Sequence, residues 1–113
     1  MIKRDAAKLL KVYLKTFPVV LIVGPRQCGK TTLARERLKG WKFFDLEKNS
    51  DYAAVSFDLE GFLGLNVSKT AIDEAQRLPE IFSALRVAVD NDRRPGRYVL
   101  TGSASPSLLK AAG

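Results

Sequence analysis

The sequence predicts an α/β domain built around a mainly parallel sheet. Strand-like runs of β-branched and aromatic residues alternate with segments of helical periodicity, the pattern of consecutive βαβ units. The first such run, residues 19–23, is apolar throughout, as a strand covered on both faces requires. The 113 residues fit one domain, and 46% hydrophobic with 27% charged residues is typical of a globular chain.

The first half of the chain predicts three helices and two strands. They are listed in chain order: helix 5–16, strand 19–23, turn 24–29, helix 31–39, strand 41–46, helix 51–59, and a loop at Gly61 and Gly64. Pro18 blocks continuation of the first helix, and Gly40 ends the second. The first helix is basic and amphipathic, and its expected apolar face is listed as Ile2, Ala6, Leu9 or Leu10, Tyr13 and Phe17.

The second half predicts two more strands. In chain order the elements are strand 70–72, helix 79–89, turn 91–96, strand 97–101 and a last helix starting near Ser105. Pro79 suits the first turn of its helix, and Ser105 followed by Pro106 is a typical helix start. We expect a single domain over residues 1–113 that contains the basic helix of residues 1–17.

Composition excludes several chemistries. The chain has no histidine and a single cysteine, Cys28, which excludes Ser-His-Asp catalysis, histidine–zinc sites and a disulfide framework. The longest clean apolar run has five residues, far short of the roughly 20 that a membrane helix needs. We therefore expect a cytoplasmic protein.

Positive charge is concentrated in the first third. Residues 1–42 contain 11 basic and 2 acidic side chains, whereas residues 43–82 contain 3 basic and 8 acidic ones. The whole chain has a net charge of +7. Such an excess indicates a polyanionic partner, for which nucleic acid, nucleotide phosphates and acidic lipid are the candidates. Nucleic acid is the candidate partner of the first third.

The strongest motif follows the first predicted strand. Residues 24–31 match G-x-x-x-x-G-K-[ST] in full, the phosphate-binding P-loop. The expected nucleotide-binding residues are Gly24, Pro25, Arg26, Gln27, Cys28, Gly29, Lys30, Thr31 and Thr32. The glycines permit close approach of backbone N–H groups to phosphate, Lys30 reaches the β- and γ-phosphates, and the Thr31 hydroxyl is a Mg²⁺ ligand. Cys28 has no predicted thiol chemistry.

Two carboxylates end the third strand. We expect Asp73 to complete the Mg²⁺ shell and Glu74 to accept the proton of the water that attacks the γ-phosphate. The fourth strand ends in hydroxyl residues, of which Ser103, or else Thr101, is expected to contact phosphate or water. An ordinary helix-capping role for this serine remains an equal alternative.

Weaker candidates surround these motifs. Gln76 is a candidate nucleotide contact, and Asp45 and Glu47 are candidates for ordering water or substrate. The arginines at positions 93, 94 and 97 form a basic cluster, for which a solvated turn is favoured over an arginine finger.

Four segments together resemble one family. "VVLIVGPRQCGKTTLA", "FFDLE", "AIDEAQRLPEIFSALRVAVD" and "YVLTGSAS" resemble the AAA-type ATPase domain of a widespread group of prokaryotic proteins, over about residues 3–111. In that group a C-terminal domain of poorly defined character follows, for which a nuclease-like role is one interpretation. The resemblance implies an ASCE/AAA-like P-loop NTPase fold, a three-layer α/β/α sandwich, with ATP and Mg²⁺ as ligands.

The resemblance also implies catalytic roles for Lys30, Glu74 and Ser103, and a metal site at Thr31 and Asp73. In such proteins a fifth strand and a helical lid follow the fourth strand. We therefore expect a fragment of a longer protein, in which the first strand is an open sheet edge needing a C-terminal domain or an oligomer partner. The rival hypothesis is a non-hydrolysing nucleotide-binding or DNA-associated module, and a small-molecule kinase ranks below both.

Overall fold

The computed structural model describes residues 4–24 and 30–103, with side chains described for residues 8–24 and 34–103. Within these ranges the chain alternates helices and strands. In chain order the elements are α1 (Arg4–Thr16), β1 (Val19–Gly24), α2 (Lys30–Arg37), β2 (Lys42–Asp45), α3 (Asn49–Ser56), α4 (Leu59–Leu65), β3 (Thr70–Asp73), a 3₁₀ turn (Ala75–Arg77), α5 (Glu80–Asn91) and β4 (Tyr98–Ser103). The helix predicted from Ser105 lies outside the described residues.

The four strands form one parallel sheet in the order β1-β4-β3-β2. The predicted α/β class and parallel sheet are therefore confirmed. β4 lies between the strand that enters the phosphate-loop motif and the strand that ends in the two carboxylates. β1 lies at the edge of the sheet that the described residues form, the position expected for it.

Helices cover both faces of the sheet. On one face, Val99 of β4 and Ala71 of β3 pack with Leu10 of α1 and with Leu38, which directly follows α2. On the other face, the alternate strand residues pack against α3, α4 and α5; this cluster includes Tyr98, Leu100, Ile72, Val55, Phe62, Ile81 and Leu85. Because neighbouring strand residues point to opposite faces, the two clusters define three layers.

The apolar face predicted for α1 is only partly correct. Leu10 is buried and Leu14 packs beside it, but Leu9, Tyr13 and Phe17 are 49%, 40% and 49% exposed. Tyr13 and Phe17 instead contact each other edge to face, with ring centroids 5.7 Å apart. Apolar residues lie on more than one side of α1, so helical periodicity alone did not identify the side that packs on the sheet.

The segment after β2 also differs from expectation. The structure has two short helices where one helix and a glycine loop were predicted, and both Gly61 and Gly64 lie within α4. The Asp58 carboxylate accepts a hydrogen bond from the Gly61 N–H at 3.1 Å and so caps this helix. A Cβ at position 61 would collide with that carboxylate, so the glycine permits the cap rather than ending the helix.

Arg97 does not belong to a solvated cluster. Only 4% of it is exposed, and it donates hydrogen bonds to the carbonyl oxygens of Val67, Ala88 and Asp92 at 2.7–2.8 Å. Arg93 and Arg94 fit the predicted solvated turn, since they form exposed ion pairs with Asp90 and Asp92. Arg97 therefore joins α5 to the segments before β3 and β4, because its guanidinium donates to a carbonyl oxygen in each of them.

No helix in the described part of the chain is long and apolar enough to cross a membrane.

Candidate functional site

The described parts of the predicted site lie at the carboxyl edge of the sheet. Parallel pairing places Gly24, the last residue of β1, opposite Ser103, the last residue of β4. β3 ends at Asp73 on the other side of β4. In an open parallel sheet this edge is where ligands bind, so the loop motif and the acidic pair share one edge.

The P-loop motif is only partly within the described residues. Gly24 ends β1, and Lys30, Thr31 and Thr32 form the first turn of α2. Pro25, Arg26, Gln27, Cys28 and Gly29 lie outside the described residues, as do the side chains of residues 30–33. For this motif the structure therefore describes the strand before it, β1, and the helix after it, α2.

Thr101 connects the two carboxylate residues. Its hydroxyl donates a hydrogen bond to Asp73 Oδ1 and accepts one from the Glu74 N–H at 3.1 Å. The threonine is 2% exposed, whereas Asp73 is half-buried. Because this hydroxyl bonds both the Asp73 carboxylate and the Glu74 N–H, it restrains both groups. It thereby restrains the backbone directly after β3.

Glu74 lies in the left-handed backbone region, with φ 58° and ψ 49°. It is only 4% exposed, and the Ser103 hydroxyl lies 3.1 Å from Oε1 and 3.4 Å from Oε2. For a residue other than glycine this backbone conformation costs roughly 1–2 kcal/mol. Such strain is often found at functional positions, where the surrounding contacts hold it in place.

The end of β2 adds a third acidic element to this edge. Asp45 pairs in register with Asp73, and its carboxylate accepts a hydrogen bond from the Glu47 N–H at 2.9 Å. The Asp45 N–H in turn donates to Asp51 at 2.9 Å. These bonds shape the turn after β2, so a local structural role is evident for Asp45.

Gln76 has an unsatisfied acceptor. Its Oε1 is buried and has no hydrogen-bond partner among the described residues. A buried polar atom without a partner is costly, by about 1–3 kcal/mol. This residue follows the acidic pair by two positions, so an acceptor is available there for a donor that the described residues do not supply.

The chemistry of this edge suits Mg²⁺. The described residues contain no group of three or more acidic, cysteine or histidine side chains arranged around a metal. Mg²⁺ does not need one, because it is usually bound through one or two carboxylates together with phosphate oxygens and water. Asp73 is such a carboxylate at the strand end, and Thr31 stands in the first turn of α2.

The preference for Ser103 over Thr101 as a contact for phosphate or water stays a prediction, but the structure shows that both hydroxyls contact the acidic pair. Residues 101 and 103 lie on the same face of β4, because side chains alternate along a strand. Both hydroxyls therefore face the carboxylates of the neighbouring strand. Strand periodicity, applied together with the expected neighbour β3, was the signal that could have identified Thr101.

The fold and the residues at the carboxyl edge of the sheet define the class of protein. A parallel sheet in which a phosphate-loop motif and an acidic strand end flank a central strand is the arrangement of P-loop NTPases. The chain belongs to the AAA domain family, whose model matches residues 16–113. At the level of the family, this indicates a nucleotide-binding, ATPase-type domain.

Two relatives share this sequence closely. An uncharacterized protein of Mycobacterium bovis and one of Mycobacterium tuberculosis are each 45% identical to it over 112 residues. The match covers 97% of this chain and 25% of each relative. The chain therefore spans about a quarter of the length of the curated relatives that it matches.

Proposed function

We propose that this domain binds ATP and hydrolyses it with Mg²⁺. The observation that carries the proposal is the hydrogen-bonded arrangement at the ends of β3 and β4, where Thr101 holds Asp73 and Ser103 contacts Glu74. It lies at the sheet edge where β1 enters the P-loop motif. Membership of the AAA domain family supports the same function.

Phosphate binding is assigned to the loop of residues 24–32. Lys30 compensates the negative charge of the β- and γ-phosphates, and the start of α2 contributes backbone N–H donors. Thr31 and Asp73 are the proposed metal-binding residues. When bound there, Mg²⁺ would neutralise negative charge on the phosphate oxygens.

Proton acceptance is assigned to Glu74. A carboxylate that accepts the proton of an attacking water contributes about 10²–10⁴-fold to the rate. The hydroxyl of Ser103 lies within hydrogen-bonding distance of both carboxylate oxygens and so restricts the orientation of the carboxylate. Ser103 is thus a positioning residue for the proposed base.

The proposed domain includes α1. The family model begins at residue 16, but Leu10 of α1 is 3% exposed and packs in the cluster that contains Val20 and Leu38. Removing α1 would expose this cluster. α1 is therefore proposed to belong to the same structural unit as the rest of the described ATPase domain.

The test is nucleotide binding and phosphate release by the wild type and two variants. Lys30→Ala should weaken ATP binding, whereas Glu74→Gln should retain binding and lose hydrolysis. The matched controls are Lys42→Ala, which removes an exposed lysine that contacts Asn66, and Glu80→Gln on the exposed start of α5. Both controls should behave as wild type.

Two outcomes would change the assignment. Absence of ATP binding by the folded wild type would overturn the proposal as a whole. ATP binding without turnover would instead support the rival function, a non-hydrolysing nucleotide-binding module. If hydrolysis survived Glu74→Gln, the assignment of the base alone would be wrong.

A further inference from the structure

A basic cleft separates α1 from the end of α2. It has a volume of about 670 Å³, and Leu10 and Leu14 contribute apolar surface to it. Its cationic lining residues are Lys8, Lys11, Lys15, Arg37 and Lys39. Among the described residues, Glu36 is the single acidic one in the lining. The described lining therefore has five cations and one carboxylate.

These cations have no ion-pair partners within the described residues. The helix dipole accounts for two of these cations. Lys15 and Arg37 lie in the last turns of α1 and α2, where the dipole favours positive charge. Lys8 and Lys11 lie before the last turn of α1, and the dipole effect falls off within one turn. Most of this charge is thus left without a structural role.

We propose that this cleft binds the phosphate backbone of nucleic acid. Lys8, Lys11 and Lys15 recur at helical spacing and form a row about 10 Å long, at a rise of about 1.5 Å per residue. At about 3.4 Å per nucleotide of one strand, such a row spans roughly three phosphates. Arg37 and Lys39 line the α2 side, so a strand in the cleft meets cations from two elements.

The shape of the cleft favours nucleic acid over a membrane surface. A basic helix binds anionic lipid through an apolar face inserted at the bilayer surface. α1 does carry exposed apolar residues, among them Leu9 and Tyr13, but these do not line the cleft. The apolar lining of the cleft is Leu10 and Leu14, which lie in a concave surface that a flat bilayer cannot follow. One sugar–phosphate backbone, which also forms the raised edge of a duplex, can enter it.

The cleft is separate from the proposed ATP site. α2 begins at Lys30 beside the carboxyl edge of the sheet and ends at Arg37, so the cleft lies at the opposite end of this helix. Neither Asp73 nor Glu74 lines it. Nucleic-acid binding and ATP binding can therefore be measured separately, and either proposal can be wrong without the other.

The experiment measures binding of a fluorescent 20-base-pair DNA duplex to the 113-residue protein by anisotropy, between 50 and 200 mM salt. Lys8→Gln, Lys11→Gln and Lys15→Gln are combined in one variant, because glutamine keeps helix propensity. A control variant combines Lys48→Gln, Arg86→Gln and Arg93→Gln, three exposed cations outside the cleft. Circular dichroism and ATP binding are recorded for every variant, and vesicles containing phosphatidylserine serve as the competing probe.

We expect the cleft variant to bind the duplex at least tenfold more weakly at 50 mM salt than the control variant. Its salt dependence should flatten by about 0.9 in log–log slope for each lost phosphate contact. Glu36→Gln should strengthen binding, which a folding defect would not produce. Equal losses in the cleft and control variants, no duplex binding by the wild type at 50 mM salt, or binding to vesicles without binding to the duplex would each overturn the proposal.

Discussion

The hydroxyl of Thr101 donates a hydrogen bond to Asp73 and accepts one from the Glu74 N–H. One side chain of the central strand β4 thereby orders both acidic residues at the end of β3. This hydroxyl therefore has two roles. It stabilises the end of the strand, and it orients the proposed metal-binding carboxylate.

Thr101→Val tests this coupling. Valine has nearly the same shape but leaves the buried Glu74 N–H without its acceptor, so the free energy of unfolding should fall by about 1–3 kcal/mol. The control is Thr70→Val, because Thr70 is also buried but its hydroxyl makes one bond, to the Ser68 carbonyl oxygen. Urea denaturation measures both, and a larger loss for the control would contradict the role assigned to Thr101.

The backbone strain at Glu74 predicts an unusual stability effect. Glycine adopts a φ of 58° without penalty, so Glu74→Gly should be more stable than Glu74→Gln by roughly 1 kcal/mol. Glutamine is the matched reference, because it retains the side-chain length while removing the charge. Both variants should lack hydrolysis. Thermal denaturation in the absence of nucleotide measures the difference, and a less stable glycine variant would contradict the strain argument.

Ser103→Ala should separate orientation of the base from nucleotide binding. The variant removes the hydroxyl that lies close to both oxygens of Glu74, so hydrolysis should fall by roughly tenfold, a part of the acid–base contribution, while ATP affinity stays within about twofold. Ser83→Ala on the exposed face of α5 is the control. A variant whose ATP affinity falls as much as its rate would show that Ser103 contacts the nucleotide instead.

Alkaline pH should destabilise the domain through Tyr98. Burial raises the pKa of this phenol above its usual value of 10, and its hydroxyl donates to the Asn66 carbonyl oxygen at 2.9 Å. Because the folded state holds the proton more tightly than the unfolded state, this contribution is complete below pH 10 and is lost as the pH rises through the folded pKa.

Denaturant unfolding across pH 8–11 measures this effect. Tyr98→Phe should reduce the alkaline loss and lower stability at neutral pH by about 1 kcal/mol through the lost hydrogen bond. The matched control is Tyr13→Phe, which removes an exposed hydroxyl from α1 and should leave the alkaline loss in place. An unchanged alkaline loss in Tyr98→Phe would contradict this assignment.

Sequence predicted the sheet well because its strands have strong local signals. The continuous apolar run of β1 and the apolar residues before Asp73 each identify a buried strand without reference to the rest of the chain. The acidic pair and Ser103 were placed together because parallel strands end at one edge. Side-chain roles of residues within the P-loop remain predictions from the motif.

The failures share a different cause, since they depend on contacts between distant segments. Nothing near Arg97 in the sequence indicates that it binds the Val67 carbonyl oxygen, 30 residues away. The buried side of α1 was ambiguous because apolar residues occupy both sides, and only packing on the sheet distinguishes Leu10 from Leu9. In α4, Gly61 was taken as a loop signal, although the Asp58 cap makes a glycine favourable at that position.

The edge position of β1 has a thermodynamic consequence for ligand affinity. The strand that leads into the P-loop is hydrogen-bonded on one side, by β4, within the described sheet. A polypeptide segment that paired along its other side would restrict the fluctuations of Gly24, from which the P-loop starts, and would reduce the entropy lost when phosphate is bound. Linkage makes this effect reciprocal, so a bound nucleotide would tighten the pairing by the same factor. Pairing along the open edge of β1 would then couple assembly of the protein to nucleotide binding.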